Sequence, residues 1–82
     1  MVMIQPIEHG GQVVALVAGG RALIGDDLAG RALALVRAKC LYALEVQAGE
    51  RPGPYSDEGA TRYARRALAH GHQGRSRAWQ RR

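Results

Sequence analysis

The sequence predicts a small, mainly α-helical protein, with a small α+β arrangement as the alternative. Two segments have recognisable helix starts and ends, the 46% hydrophobic fraction is carried by alanine and small aliphatics without a single Phe, and 82 residues suffice for one domain at most. A chain this short buries little surface, so help from a second copy or a partner is expected. We expect one helical domain over residues 1–71 and a flexible basic tail over 72–82.

The N-terminal third is expected to hold at most a hairpin. Residues 1–11 are polar and turn-rich, with Pro6, and are predicted to be irregular. Two apolar runs follow, over 12–18 and 21–24, and the Gly19-Gly20 pair between them accepts the positive φ of a tight turn. The β-branched valines favour a β-hairpin, and a short helix is the alternative because Ala and Leu are good helix formers. A hairpin alone is barely stable in water, so it must pack on another element.

A long central helix is predicted from about Asp27 to Ala48. Asp26 can cap its N-terminus, and Gly49 suits a left-handed C-terminal cap. Apolar residues occupy more than half of its circumference, so we expect neighbours on two sides and a surface for self-association or for a partner protein. This predicted partner surface consists of Leu28, Leu33, Val36, Cys40 and Leu44. Lys39 falls within the apolar arc, and its ammonium is expected to reach water.

A second, shorter helix is predicted from Asp57 to His70. Ser56 can cap its first turn, the acids that follow complement the helix dipole, and Gly71 closes it. Its apolar side consists mostly of small residues such as Ala60 and Ala64, which permit close helix packing. Three arginines spread over its other side.

The charge of the chain is concentrated at its C-terminal end. Residues 60–82 contain seven arginines and no acid, hence +7, whereas residues 1–59 carry five basic residues and all seven acids, hence −2. Such an end suits the phosphates of a nucleic acid, and a merely solvated basic terminus is the alternative. The candidate nucleic-acid-binding residues are Arg62, Arg65, Arg66, Arg75, Arg77, Trp79, Arg81 and Arg82.

No combination of residues predicts an active site. His70 and His72 have no Cys pair or carboxylate at ligand spacing, and the glycines near residue 20 lack the Lys-Ser/Thr of a phosphate-binding loop. Cys40 lies in the middle of the apolar arc, where core packing is its expected role. We therefore expect no enzyme activity, no catalytic residue, no cofactor and no metal.

The sequence also suggests where in the cell the protein is located. One cysteine cannot form an internal disulfide, no secretory signal is recognisable, and the longest apolar run is far below the roughly 20 residues of a membrane span. A cytoplasmic location without membrane contact is expected. Arginine outnumbers lysine eleven to one, as GC-rich bacterial genomes tend to encode.

The leading hypothesis is a small bacterial regulatory or accessory protein that forms a homodimer and contacts DNA or RNA through its basic helix face and tail. The alternative is a protein–protein interaction module that docks its apolar helix surface on a larger partner and does not bind nucleic acid.

Overall fold

The computed structural model describes residues 3–70 and, for the backbone alone, 79–81. It shows a small α+β fold, so the prediction of a mainly α-helical protein is wrong. The elements are β1 (Gln5–His9), β2 (Gln12–Ala18), β3 (Arg21–Ile24), α1 (Gly30–Gln47), α2 (Asp57–Ala69) and β4 (Trp79–Arg81). The strands follow the order β1-β2-β3-β4; the first three are antiparallel, and β4 runs parallel to β3.

The first strand, β1, lies in the segment that was expected to be irregular. Its Ile7 is fully buried and pairs with Ala15 of β2. Pro6 removes a backbone donor and so suggested a loop, but β1 is an edge strand, where proline is tolerated. The Gly10-Gly11 turn that joins β1 to β2 has positive φ angles of 62° and 78°. The fold therefore has a sheet where the sequence suggested at most a hairpin.

The hairpin of β2 and β3 is present, so the strand alternative holds for this segment and the short helix does not. Gly19 and Gly20 have φ angles of 57° and 76°, and Ala18 pairs with Arg21 across the turn. Two consecutive positive φ angles match the right-handed twist of the flanking strands, and glycine adopts them without a steric cost.

Helix α1 begins at Gly30, three residues later than predicted. Ala29 is extended and makes no side-chain cap, so Asp26 does not cap this helix. Gly30 itself has a φ of 57°, and a right-handed helix cannot run through that conformation. The C-terminal end is close to the prediction, because Gly49 has a φ of 77° and its N–H donates to the Val46 carbonyl at 3.1 Å.

Helix α1 packs between the sheet and α2, so the expectation of neighbours on two sides is confirmed. On one side the inner face of the sheet contributes the core residues Ile7, Ala15, Val17, Ala22 and Ile24, and α1 contributes Val36, Cys40 and Ala43. On the other side Ala60 and Ala64 of α2 are fully buried. Small residues at this interface allow the two helices to approach closely.

The ammonium of Lys39 was expected to reach water, but it is buried. The residue is 3% exposed, and its Nζ donates to the Glu8 carbonyl at 2.6 Å and lies 2.6 Å from Oδ1 of Asp57. Glu8 belongs to β1 and Asp57 to the first turn of α2. One buried cation therefore ties both of these elements to α1.

The loop between the helices is held by Arg51. Its guanidinium donates to Oε1 of Glu45 from Nε at 3.0 Å and from Nη2 at 2.7 Å. The same group lies 5.0 Å from the ring centre of Tyr42 and 4.8 Å from that of Tyr63, within the range of cation–π attraction. The hydrogen bond to Glu45 raises the pKa of Arg51 further. Arg51 thus links the loop to both helices.

Helix α2 has the predicted N-terminal cap. Ser56 Oγ accepts a hydrogen bond from the Gly59 N–H at 3.1 Å, and Asp57 and Glu58 occupy the first turn. The helix ends at Ala69, one residue before the predicted end. Among the described residues, neither helix is long and apolar enough to cross a membrane.

Replacing Asp57 should cost more stability than replacing its neighbour Glu58. Both Asp57→Ala and Glu58→Ala remove a favourable charge from the first turn of α2, but only the former leaves the buried ammonium of Lys39 without its counterion. We therefore expect Asp57→Ala to lower the free energy of unfolding by roughly 2 kcal/mol more than Glu58→Ala. The difference is not larger because the Asp57 carboxylate is itself half exposed. Urea denaturation of the two variants measures the difference. Equal losses would show that the contact with Lys39 does not stabilise the fold.

Candidate functional site

The apolar surface that was predicted on α1 is mostly the core of the protein. Val36 and Cys40 are fully buried beneath the sheet. Leu33 and Leu44 are half-buried and pack against the same core, and so does Leu28, which lies before α1 and not on it as predicted. The sheet and α2 therefore occupy the places that a partner was expected to fill, and α1 offers no free apolar face along these residues.

Cys40 has the environment of a core residue. Burial raises the pKa of its thiol from 9.0 to about 12, and the nearby charge of Lys39 offsets only part of this effect. Because the thiolate is the reactive form, a thiol with so high a pKa is a poor nucleophile and a poor metal ligand at neutral pH.

The solvent side of α2 carries three exposed arginines, Arg62, Arg65 and Arg66. At 100° per residue they lie on one side of the helix, opposite the buried Ala60 and Ala64. We call this set of three arginines the arginine face.

Within residues 3–70, the arginine face makes one ion pair. Nη2 of Arg62 is 3.5 Å from Oε2 of Glu58, and both side chains are largely exposed, so this pair holds the arginine only weakly. The guanidinium groups of the face therefore stay accessible to an external anion.

The remaining candidates for nucleic-acid binding lie outside the described side chains. They are Arg75, Arg77, Trp79, Arg81 and Arg82. Of the tail 72–82, which was expected to be flexible, the structure describes only the backbone of 79–81, and this runs as β4 beside β3. His70 is exposed at the end of α2, and His72 lies outside the residues that the structure describes.

A second exposed surface was not anticipated from the sequence. It is the side of the sheet that faces away from α1, and we call it the outer sheet face; its residues are Pro6, Glu8, Val13, Leu16, Arg21 and Leu23. Val13, Leu16 and Leu23 are 56%, 43% and 42% exposed. A β-bulge between Ile7 and Glu8 brings Val13 and Leu16 to the same side of the sheet, although they are three residues apart.

A groove of about 410 Å³ lies at the end of the outer sheet face that includes Val13. Val13, Leu16 and Leu23 line its apolar part, and His9 and Asp27 also line it. Within residues 3–70, no group of three or more His, Cys, Asp or Glu side chains is placed to hold a metal ion. The groove is thus an apolar surface with polar groups beside it.

Comparisons of this chain with protein-family models, curated proteins and solved structures find no match. Its function must therefore be argued from its own surfaces. The two that stand out in the described part of the chain are the arginine face and the outer sheet face.

The folded protein should protect Cys40 from thiol reagents. At pH 8, a pKa of about 12 in place of 9.0 lowers the thiolate fraction about a thousandfold, and the sheet also blocks access. We expect Ellman's reagent to react with Cys40 at least a thousand times more slowly in the native protein than in urea-unfolded protein. Rapid reaction under native conditions would contradict the burial of Cys40 beneath the sheet.

Proposed function

We propose that the protein binds nucleic acid through the arginine face of α2 together with the arginines near its C-terminus. The observation that carries this proposal is the placement of Arg62, Arg65 and Arg66 side by side in solvent, while the opposite side of the same helix is buried against α1. A guanidinium offers a planar fork of donors that matches phosphate oxygens.

The support beneath α2 favours binding over a merely solvated charge. Asp57 pairs with a buried lysine of α1, Ala60 and Ala64 pack the helix onto α1, and Arg51 lies over the ring of Tyr63 in its middle. A helix held at three points presents its cations at fixed spacing, so less conformational entropy is lost when phosphates bind.

The distribution of charge favours contact with phosphates and not the reading of bases. Glu58, at the start of α2, precedes an acid-free stretch that includes the whole arginine face and extends to the C-terminus. Residues 48–56 separate the two helices, far more than the short turn of a helix-turn-helix motif. The proposal is therefore electrostatic binding to DNA or RNA, without placement of α2 in a groove.

The setting that we propose is the bacterial cytoplasm, where such a protein would serve a regulatory or accessory role. A free thiol buried in the core is compatible with a reducing compartment, and the strong preference for arginine over lysine fits a GC-rich bacterial genome.

Neutralising the arginine face should weaken nucleic-acid binding and its dependence on salt. For Arg65→Gln/Arg66→Gln we expect the slope of log K against log [salt] on duplex DNA to fall by about 2, since each lost phosphate contact contributes roughly 0.9. Fluorescence anisotropy between 50 and 300 mM salt measures it. The matched control is Arg31→Gln/Arg37→Gln, which removes the same charge from α1. If both pairs reduce the slope equally, net charge and not the arginine face governs binding.

The C-terminal arginines should contribute separately from the arginine face. Because the backbone of 79–81 pairs with β3, deleting the tail would also remove a strand, so substitution is the cleaner test. We expect replacement of Arg75, Arg77, Arg81 and Arg82 by Gln to lower the affinity for a duplex at least tenfold at 100 mM salt, with an unchanged melting temperature. An unchanged affinity would restrict the binding site to α2.

A further inference from the structure

Among the described residues, other elements cover only the inner face of the sheet. That face packs on α1, and the second helix packs chiefly on α1. The outer sheet face is left with Val13, Leu16 and Leu23 in solvent, and Leu16 and Leu23 are directly paired across β2 and β3. Adjacent apolar side chains at the centre of a sheet are typical of a contact surface.

The charges on this sheet are few, and their placement is informative. Apart from His9, the three antiparallel strands and their turns contain only two acidic or basic side chains, Glu8 and Arg21. Each neighbours a fully buried residue, Ile7 or Ala22, so the alternation of the strands directs both exposed side chains to the outer sheet face.

Glu8 and Arg21 lie at opposite ends of the outer sheet face. Glu8 pairs with Val13 near one end of β2, and Arg21 pairs with Ala18 at the other end. Because the bulge removes one step of the ladder, four steps separate those two positions, about 14 Å along the strand. Asp27 lines the groove together with Val13 and adds negative charge at the Glu8 end. The face thus has an acidic end, an apolar centre and a basic end.

Such a face complements a copy of itself. When two sheets stack face to face around a two-fold axis that crosses the strands obliquely, the acidic end of each copy, on β1, meets the basic end of the other, on β3, and the apolar centres meet on the axis. An axis parallel to the strands would instead bring like charges together. A larger, unrelated partner would not require opposite charges at the two ends of the face.

Pairing through the sheet edge fits the structure less well. On β1, at one edge, Pro6 lacks a donor and the bulge after Ile7 interrupts a regular ladder. Both features are common protections against edge-to-edge pairing. The other edge strand, β4, is only three residues long, and short edge strands also limit such pairing. The exposed face, and not the edge, is the surface that remains for association.

We propose that two copies of this chain form a dimer by stacking their outer sheet faces, with Glu8 of each copy opposite Arg21 of the partner subunit. Leu16 and Leu23 of both copies form the centre of the contact. This inference rests on the sheet alone, so it does not depend on the binding of nucleic acid by α2, and it is tested on protein free of nucleic acid.

Charge reversal distinguishes self-association from any other use of the face. Sedimentation velocity over a hundredfold range of concentration, at low salt, should show the full-length chain as a dimer. Glu8→Arg and Arg21→Glu should each raise the dimer dissociation constant about tenfold or more, because two pairs become repulsive in each case. The double variant Glu8→Arg/Arg21→Glu should restore the original dissociation constant.

Two further variants test whether the effect is specific to the outer sheet face and not a result of any change in charge. Arg31→Glu reverses a charge on α1, away from the sheet, and should leave the dimer intact. Leu16→Gln/Leu23→Gln should give a monomer with an unchanged far-ultraviolet circular dichroism spectrum, since both side chains are exposed. A wild-type monomer at all concentrations, single reversals without effect, or a double reversal that fails to restore the dimer would each overturn the proposal.

Discussion

The fold is organised around the buried ammonium of Lys39. Removing an ammonium from water costs several kcal/mol unless hydrogen bonds and a counterion replace the lost hydration. Here the replacements come from the Glu8 carbonyl on β1 and from the Asp57 carboxylate on α2, far apart in the sequence. The edge strand and the start of α2 must therefore both approach the middle of α1. Ser56 caps α2 beside this contact, so the same turn that begins the helix also delivers the counterion.

The two sides of α1 are built from different chemistry. Toward the sheet the contacts are aliphatic, with Ile7, Val17 and Ile24 against Val36. Toward α2 and the loop, all three tyrosines of the chain cluster together, with the ring of Tyr42 5.8 Å from that of Tyr55 and 5.5 Å from that of Tyr63. Arg51 lies over the rings of Tyr42 and Tyr63. Burial raises the pKa of Tyr55, whose hydroxyl has no hydrogen-bond partner in the described part of the structure. A core with so few large aromatics is thin, and Lys39 and Arg51 compensate by linking elements that small side chains alone would hold weakly.

This arrangement separates the two exposed surfaces. The arginine face lies on the helical side of the molecule, and the outer sheet face lies on the opposite side of the sheet from α1. A dimer that stacks two sheets would keep its helices outermost, so the arginine faces of both copies would remain open to a polyanion. The two proposals are therefore compatible in space, and each depends on residues that the other does not use.

The sequence alone determined the features that depend on neighbouring residues. It specified the Gly19-Gly20 turn, the Ser56 cap, the end of α1 at Gly49 and the exposed arginines of α2, because positive φ, capping and helical spacing are local properties. Tertiary structure decided the rest. β1 exists because Ile7 is buried against β2 and α1, α1 begins at Gly30 because the chain turns there, and Lys39 is buried because two distant groups meet it. The apolar residues of α1 belong to the core and not to a partner surface, because only the packed fold determines which apolar faces are covered. Within the described residues, that fold leaves the outer face of the sheet uncovered.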